Sequence, residues 1–420
     1  MTRIPRARFV TSAPVVLFRS THYASLAIVR TLGRMGVRVF CIDPDPNALG
    51  MKSRFCSGRF EWDIDVSHPD DAVRFLSGVA RKIGEKAVLL PTSDSLNLFV
   101  DRHRAQLSQW FLLPQPDPEA AARLHSKRMM YDLCVQLGVP TPRATFPDTA
   151  EDAVRDAPSL GFPLVAKPIN ADLVRRSWRR QAMVLQLSKV REAYEALAAP
   201  GISNLALQEF VPGGEGASWL VAAYFDGRGD CRFAITGQKL RQYPIDGGVT
   251  TLGVCAPCEP IVASIMRMAR AVGYRGILAA DFLYDQRDGL WKLLDVNPRA
   301  GANFRLFTDM HGLDVVRSMY LDLTGQEVPA VEPAWGRRWC VEDLDLHAFR
   351  DHSLAGSLTL RGWLRSLRGV SEFGHFAADD LWPSAVFASR VIGYYAAAAA
   401  RRLWRPFARK VSTSPLPKLL

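Results

Sequence analysis

Two apolar segments joined by Arg287-Asp288-Gly289 constrain this chain more than any other feature. They run from Ile277 to Asp285 and from Leu290 to Arg299. An Asp-Gly pair between apolar runs is a hairpin signal, because the tightest hairpin turn needs positive φ at both central positions. Asp281 lies on the first strand. Asp295 and Asn297 lie two apart on the second, so their side chains share a face. Folding the hairpin brings Asp281 to that pair, and three hard oxygen ligands converge. Mg²⁺ is held in this way when nucleotide phosphates complete its shell. Arg299, two residues further on, extends the same face and can reach a phosphate. A solvated acidic hairpin is the plainer alternative. Against it, Asp295 directly follows the run Leu290-Trp291-Lys292-Leu293-Leu294, and a carboxylate buried there needs a cation.

The sequence resembles the ATP-grasp superfamily of ligases at these residues. Its members carry an acid on one strand and an acid-x-Asn-Pro-Arg motif on the next. Here the acids are Asp281 and Asp295, where many members have Glu. The resemblance runs from about Arg19 to Leu323, and further motifs follow in the family's order. It implies that Asp281, Asp295 and Asn297 hold one or two Mg²⁺ ions, with Mn²⁺ able to substitute, and that the nucleotide is ATP.

Upstream, Pro14-Val-Val-Leu-Phe18 reads as a buried strand, Tyr23 to Met35 as a helix, and Val37 to Ile42 as a second strand. Such β-α-β units build parallel sheets. The intervening Arg19-Ser20-Thr21-His22 lacks the glycine pattern of a dinucleotide site. Ala87 to Pro91 is a third strand, and Thr92-Ser93-Asp94 reads as the cap of the next helix. Ligands of open parallel sheets sit at the carboxyl ends of the strands, which puts Arg19, Ser20 and Asp94 near a substrate.

Lys127 opens a helix that stops at Gly138, before Pro140 and Pro142. Lys167 ends the apolar strand Pro163-Leu-Val-Ala-Lys167. By the resemblance both lysines contact nucleotide phosphates. Residues 170 to 180 occupy the place of a loop over the phosphates and are Arg-rich, with Arg175, Arg176, Arg179 and Arg180. Gln208-Glu209-Phe210-Val211 matches the hinge whose backbone reads adenine, and Glu215 is the ribose candidate. Lys239 and Arg241 alternate onto one face if their strand stays extended. With Arg299 they form the expected catalytic set around the transferred phosphoryl group.

Composition limits the alternatives. No stretch of eighteen uncharged apolar residues exists, so no membrane span is expected. The basic start lacks the apolar core of a signal peptide. Seven cysteines in a long chain fit free thiols in a reducing cytosol. Cys255 and Cys258 form the single C-x-x-C, and zinc is not expected of one pair. The net charge of +11 is concentrated late, in residues such as Arg390, Arg401, Arg402, Arg405 and Lys410. Residues 385–411 fit either a helix lying on an anionic membrane surface or a helix docked on the protein.

The expected fold class is α/β. Residues 1–115 form a parallel-sheet domain. Residues 116–325 form a two-subdomain α+β ATP-grasp fold, whose small nucleotide-covering part spans about 145–212. Residues 326–420 form a mainly helical, basic, Trp-rich extension. The implied activity joins a small-molecule carboxylate to an amine through an acyl phosphate, in the cytoplasm, and no nucleic-acid partner is expected. The alternatives are a kinase- or carboxylase-type reaction, or a catalytically silent nucleotide-binding protein at a membrane surface.

Overall fold

The computed structural model describes residues 9–404, apart from 64, 118, 170–181, 185, 198–202, 215 and 246. Three sheets organise it. The first holds β1 (Val15–Phe18), β2 (Val39–Asp43), β3 (Cys56–Glu61), β4 (Ala87–Pro91) and β5 (Phe111–Leu112), all parallel, in the order β3-β2-β1-β4-β5. β1 is buried along its whole length. Val15 and Leu17 enter one core with the helix Tyr23–Met35. Val16 and Phe18 enter another with the helices Pro69–Ile83 and Asp94–Arg102. A strand covered on both faces must be apolar at every position, which explains the unbroken Val-Val-Leu-Phe run.

The second sheet is small and antiparallel. It comprises β6 (Ala144–Thr145), β7 (Leu164–Pro168), β8 (Ala182–Val184) and β9 (Leu205–Glu209), in the order β6-β9-β7-β8. The helices Ala150–Leu160 and Val190–Leu197 supply the other half of its core.

The third sheet has seven strands: β10 (Ser218–Phe225), β11 (Cys231–Tyr243), β12 (Val249–Cys255), β13 (Gly276–Asp285), β14 (Leu290–Asn297), β15 (Arg338–Cys340) and β16 (Val370–Phe373). The order is β14-β13-β10-β11-β12-β15-β16. β10 alternates between two cores. Leu220, Ala222 and Tyr224 share one with Val15 and Leu17 of β1, so the first sheet and this one are packed through continuous apolar contact. Val221, Ala223 and Phe225 face the helices Lys127–Leu137 and Glu259–Ala271.

The C-terminal region is mainly helical, as expected, and it also adds two short strands to the third sheet. β15 pairs antiparallel with β12, and β16 lies parallel to β15. Without them β12 would be an open edge, and an open edge invites unwanted pairing. The buried Trp339 anchors β15 in the same core as β1. After the helices Glu342–Leu354 and Leu360–Ser366 the chain crosses to the first domain. There Arg30 Nε meets Asp380 Oδ2 at 2.9 Å, with both side chains buried.

The last helix, Trp382–Trp404, begins docked. Phe387 stacks on His375 with ring centroids 3.7 Å apart. Arg390 donates to Asp45 Oδ2 at 2.6 Å and to Asn47 O at 2.9 Å. Of the two readings of 385–411, packing on the protein holds for these first turns. Arg405, Arg409 and Lys410 lie outside the described residues. Among the described residues no helix is long and apolar enough to cross a membrane.

Candidate functional site

The β13–β14 hairpin forms around a turn in which Gly289 takes φ 73°. Asp281 and Asp295 are direct partners across the ladder, and Asn297 pairs with Ala279. The three oxygen-bearing side chains therefore share one face. A register shift follows immediately after Asp281. The Asp295 carboxylate accepts no hydrogen bond from the described residues. Burial pushes its pKa up and the nearby Asp281 adds to the effect, while Lys127 and Lys167 oppose it. Two close carboxylates, one lacking a donor, beside an amide oxygen make a donor set that suits a hard divalent cation.

Three lysines surround this pair. Lys239 of β11 reaches Asp281 Oδ1 at 2.8 Å. Lys167 comes from the end of β7, and its Nζ donates to Gln208 Oε1 at 2.9 Å. Burial pushes the Lys167 amine down to about 8; Asp295 and Asp281 pull it up, and Lys127 and Lys239 push it further down. Lys127 is the first residue of its helix, which Ser126 caps by accepting from Met129 N. The Lys127 ammonium donates to Pro168 O at 2.7 Å. Lys127 and Lys167 have only neutral oxygen partners, and with Lys239 they form a positive rim that a polyphosphate can enter.

Gln208 is buried and accepts from both Lys167 and the Tyr131 hydroxyl, the latter at 2.9 Å. Tyr131 went unnoticed in the sequence. It lies four residues after Lys127, one helical turn along the same face, which is the signal that could have found it. The Glu209 side chain serves the scaffold. It accepts from Arg143 N at 3.1 Å and Arg143 Nε at 2.9 Å, and lies 3.4 Å from Lys292 Nζ. Burial works to raise its carboxyl, but Arg143 and Lys292 outweigh this and hold it below the usual range. β9 ends at Glu209, so the backbones of Phe210 and Val211 leave the ladder. Glu215 and Arg175, Arg176, Arg179 and Arg180 lie outside the described residues.

Arg299 and Arg241 are placed differently from each other. Arg299 forks onto Asp94, Nε to Oδ1 at 2.6 Å and Nη2 to Oδ2 at 3.1 Å, and touches Asn297 Oδ1 at 3.3 Å. Asp94 is not the helix cap. Ser93 caps the helix by accepting from Leu96 N, and this leaves Asp94 for Arg299. Asn97, one turn later, donates to Pro298 O at 3.0 Å and was missed in the sequence. Arg241 is a correction. Its register against β12 shifts after Lys239, where Lys239 pairs with Gly253 and Arg241 with Leu252. That bulge breaks the two-residue alternation and sends the two cations to different partners. Arg241 is buried and forks onto Asp345 at 2.9 Å for both bonds, with Ser366 Oγ on its third nitrogen. Asp345 also accepts from Thr251 Oγ1 and Trp363 Nε1. Arg241 is therefore a structural cation that ties β11 to the C-terminal helices.

No protein-family model matches the chain. Over 268 residues it is 26% identical to the D-aspartate ligase of Enterococcus faecium, covering 60% of this chain and 62% of that protein. The chain thus spans less than two thirds of that relative's length. Among solved structures it superposes on an N5-carboxyaminoimidazole ribonucleotide synthetase in complex with ADP. The TM-score is 0.61 and the identity 11%, over 79% of this chain and 82% of that one. It also superposes on the biotin carboxylase domain of the Hydrogenobacter thermophilus 2-oxoglutarate carboxylase, solved with MgADP and bicarbonate. There the TM-score is 0.59 and the identity 15%, over 77% of this chain and 72% of that one. At such identities the structural likeness establishes the fold.

Proposed function

Because the fold and the sequence are similar to those of ATP-grasp ligases, we propose that the chain belongs to the ATP-grasp superfamily and is an ATP- and Mg²⁺-dependent ligase joining a carboxylate to an amine. The observation that carries this reading is the convergence of Lys127, Lys167 and Lys239 on the face of Asp281 and Asp295. A carboxylate oxygen attacks the γ-phosphorus and ADP leaves. The amine then attacks the acyl carbon, gives up a proton, and phosphate departs. Such a site needs no enzyme nucleophile, only positioning and charge neutralisation. Asp281, Asp295 and Asn297 would hold Mg²⁺, which when bound screens the phosphate charge. Lys127 and Lys167 hold phosphate oxygens. The backbone of Phe210 and Val211 meets the adenine. Lys239 exchanges its bond to Asp281 for the transferred phosphoryl group, and Arg299 steadies that group from the first domain's side.

All seven cysteines are free thiols, which supports a reducing, cytoplasmic setting. A peripheral contact with an anionic surface, if formed, belongs to the chain beyond Arg390, since the turns before it are packed on the protein. ADP release that requires both a carboxylate and an amine, assayed over an array of amino acids and small acids, tests the ligase reading. Release that continues without any amine would assign a kinase-type reaction instead.

A further inference from the structure

The parallel sheet runs β3-β2-β1-β4-β5, so its direction of growth reverses between β1 and β4. Loops that leave the carboxyl ends of two such strands diverge and open a crevice, the usual ligand seat of an open parallel sheet. Arg19 leaves β1 there, and Thr92-Ser93-Asp94 leave β4.

Arg19 is unusual in three respects. It is the single non-glycine residue with positive φ, at 78°, among the described residues. A β-carbon makes that region unfavourable, and it persists only where the surroundings over-determine the backbone. Here they do. Arg19 N donates to Ile42 O at 3.0 Å, and Arg19 O accepts from Thr92 Oγ1 at 3.1 Å. The buried Ser20 gives its N–H to Asp43 Oδ2 at 2.7 Å and takes the Gly50 N–H on its carbonyl at 3.0 Å. A β-carbon on Gly50 would lie 2.9 Å from that of Ser20, so this contact requires glycine. Despite this restraint the Arg19 side chain is exposed and has no hydrogen-bond or ion-pair partner among the described residues. The crevice connects to the acid cluster through Asp94, which holds Arg299, itself 3.3 Å from Asn297.

We infer that Arg19 anchors a second anionic group, a carboxylate or a phosphate ester, on the non-nucleotide substrate seated in the β1–β4 crevice. The inference rests on the ligase reading above. A guanidinium fork takes either oxyanion through two parallel bonds. An anion there also lies at the amino ends of the helices Tyr23–Met35 and Asp94–Arg102, whose dipoles favour negative charge. The first of these has no acid in its first turn. The acid in the first turn of the second, Asp94, is already paired with Arg299.

The test compares charged and neutral probes of one shape: both enantiomers of aspartate against asparagine, and phosphoserine against serine. Calorimetry measures their binding to the MgADP-loaded chain, and ADP release measures turnover. Aspartate or phosphoserine is expected to bind at least tenfold tighter than its neutral counterpart, and which of them does so distinguishes carboxylate from phosphate. Arg19→Gly suits the left-handed backbone and keeps Tm equal or higher. It should leave ADP affinity unchanged and erase the discrimination, and Arg19→Lys should restore part of it. Equal or absent binding of charged and neutral probes overturns the inference, as does full discrimination by Arg19→Gly. If no acid supports ADP release the ligase reading falls, while the direct binding series still decides the role of Arg19.

Discussion

Arg299 and Asp94 are joined by two hydrogen bonds, of 2.6 and 3.1 Å, across 205 residues of chain. The pair ties the hairpin that carries the acids to the first turn of a helix in the parallel-sheet domain. Arg299 also touches Asn297, so the ligand end of the hairpin and the substrate edge of the first sheet share one guanidinium. Arg299→Lys keeps the charge but loses the fork. Because Arg299 is assigned to the transferred phosphoryl group, kcat should fall about tenfold, roughly 1.4 kcal/mol, with the KM of ATP little changed. Steady-state kinetics in both substrates checks this, and a raised KM for ATP with kcat unchanged would assign Arg299 to nucleotide binding instead.

Asp295→Asn removes charge from the centre of the acid face while keeping shape. Turnover should fall by about a hundredfold or more, comparable to the loss of one well-placed electrostatic group, with Tm unchanged. Wild-type turnover by this variant would remove Asp295 from the metal assignment.

Lys167→Ala should weaken ATP binding by about 2 kcal/mol, the scale of a charge-assisted contact. The wild type should also show a pH signature. Its Lys167 amine titrates at about 8 when no ligand is bound, below its ordinary value. Phosphate favours the charged form, so ATP binding takes up a proton and affinity falls as pH rises above 8. Folding has the opposite sign. The unfolded chain binds more protons between 8 and the ordinary lysine value, so the free protein gains stability over that interval. Calorimetry in buffers of different ionisation enthalpy measures the uptake. Equal proton uptake by Lys167→Ala would show that Lys167 is not its source.

Arg241→Ala leaves Asp345 buried without its cation. A loss of about 3–5 kcal/mol in stability is expected, as for a broken buried pair, read as a lower denaturation midpoint. ATP affinity of the remaining folded protein should be retained. A variant of normal stability with no turnover would return Arg241 to the catalytic set.

Deleting residues 385–420 removes the ring that covers His375 and the Arg390–Asp45 pair. Tm should fall, because the first domain loses part of its packed cover. Co-sedimentation of the full chain with anionic vesicles, weakened by salt, would add a surface role to the distal part of the segment. Unchanged Tm on deletion would show that the docked turns are not structural.

What the sequence determined by itself were features set by neighbours along the chain. Alternation and the Asp-Gly turn placed Asp281, Asp295 and Asn297 on one face, because strand geometry is local. The apolar run into Lys167 and the helix that Lys127 opens were legible for the same reason. Tertiary structure decided whatever depended on partners distant in sequence. The bulge after Lys239 separated it from Arg241, and a register shift of one residue leaves no mark in the pattern of residue types. Asp94 read as a cap until Arg299 arrived from the hairpin. Trp339 and Glu372 lie on strands of a shared sheet, although the segment around them reads as an appendage. An edge strand is stabilised by the sheet it joins, and that sheet is built from residues far back along the chain.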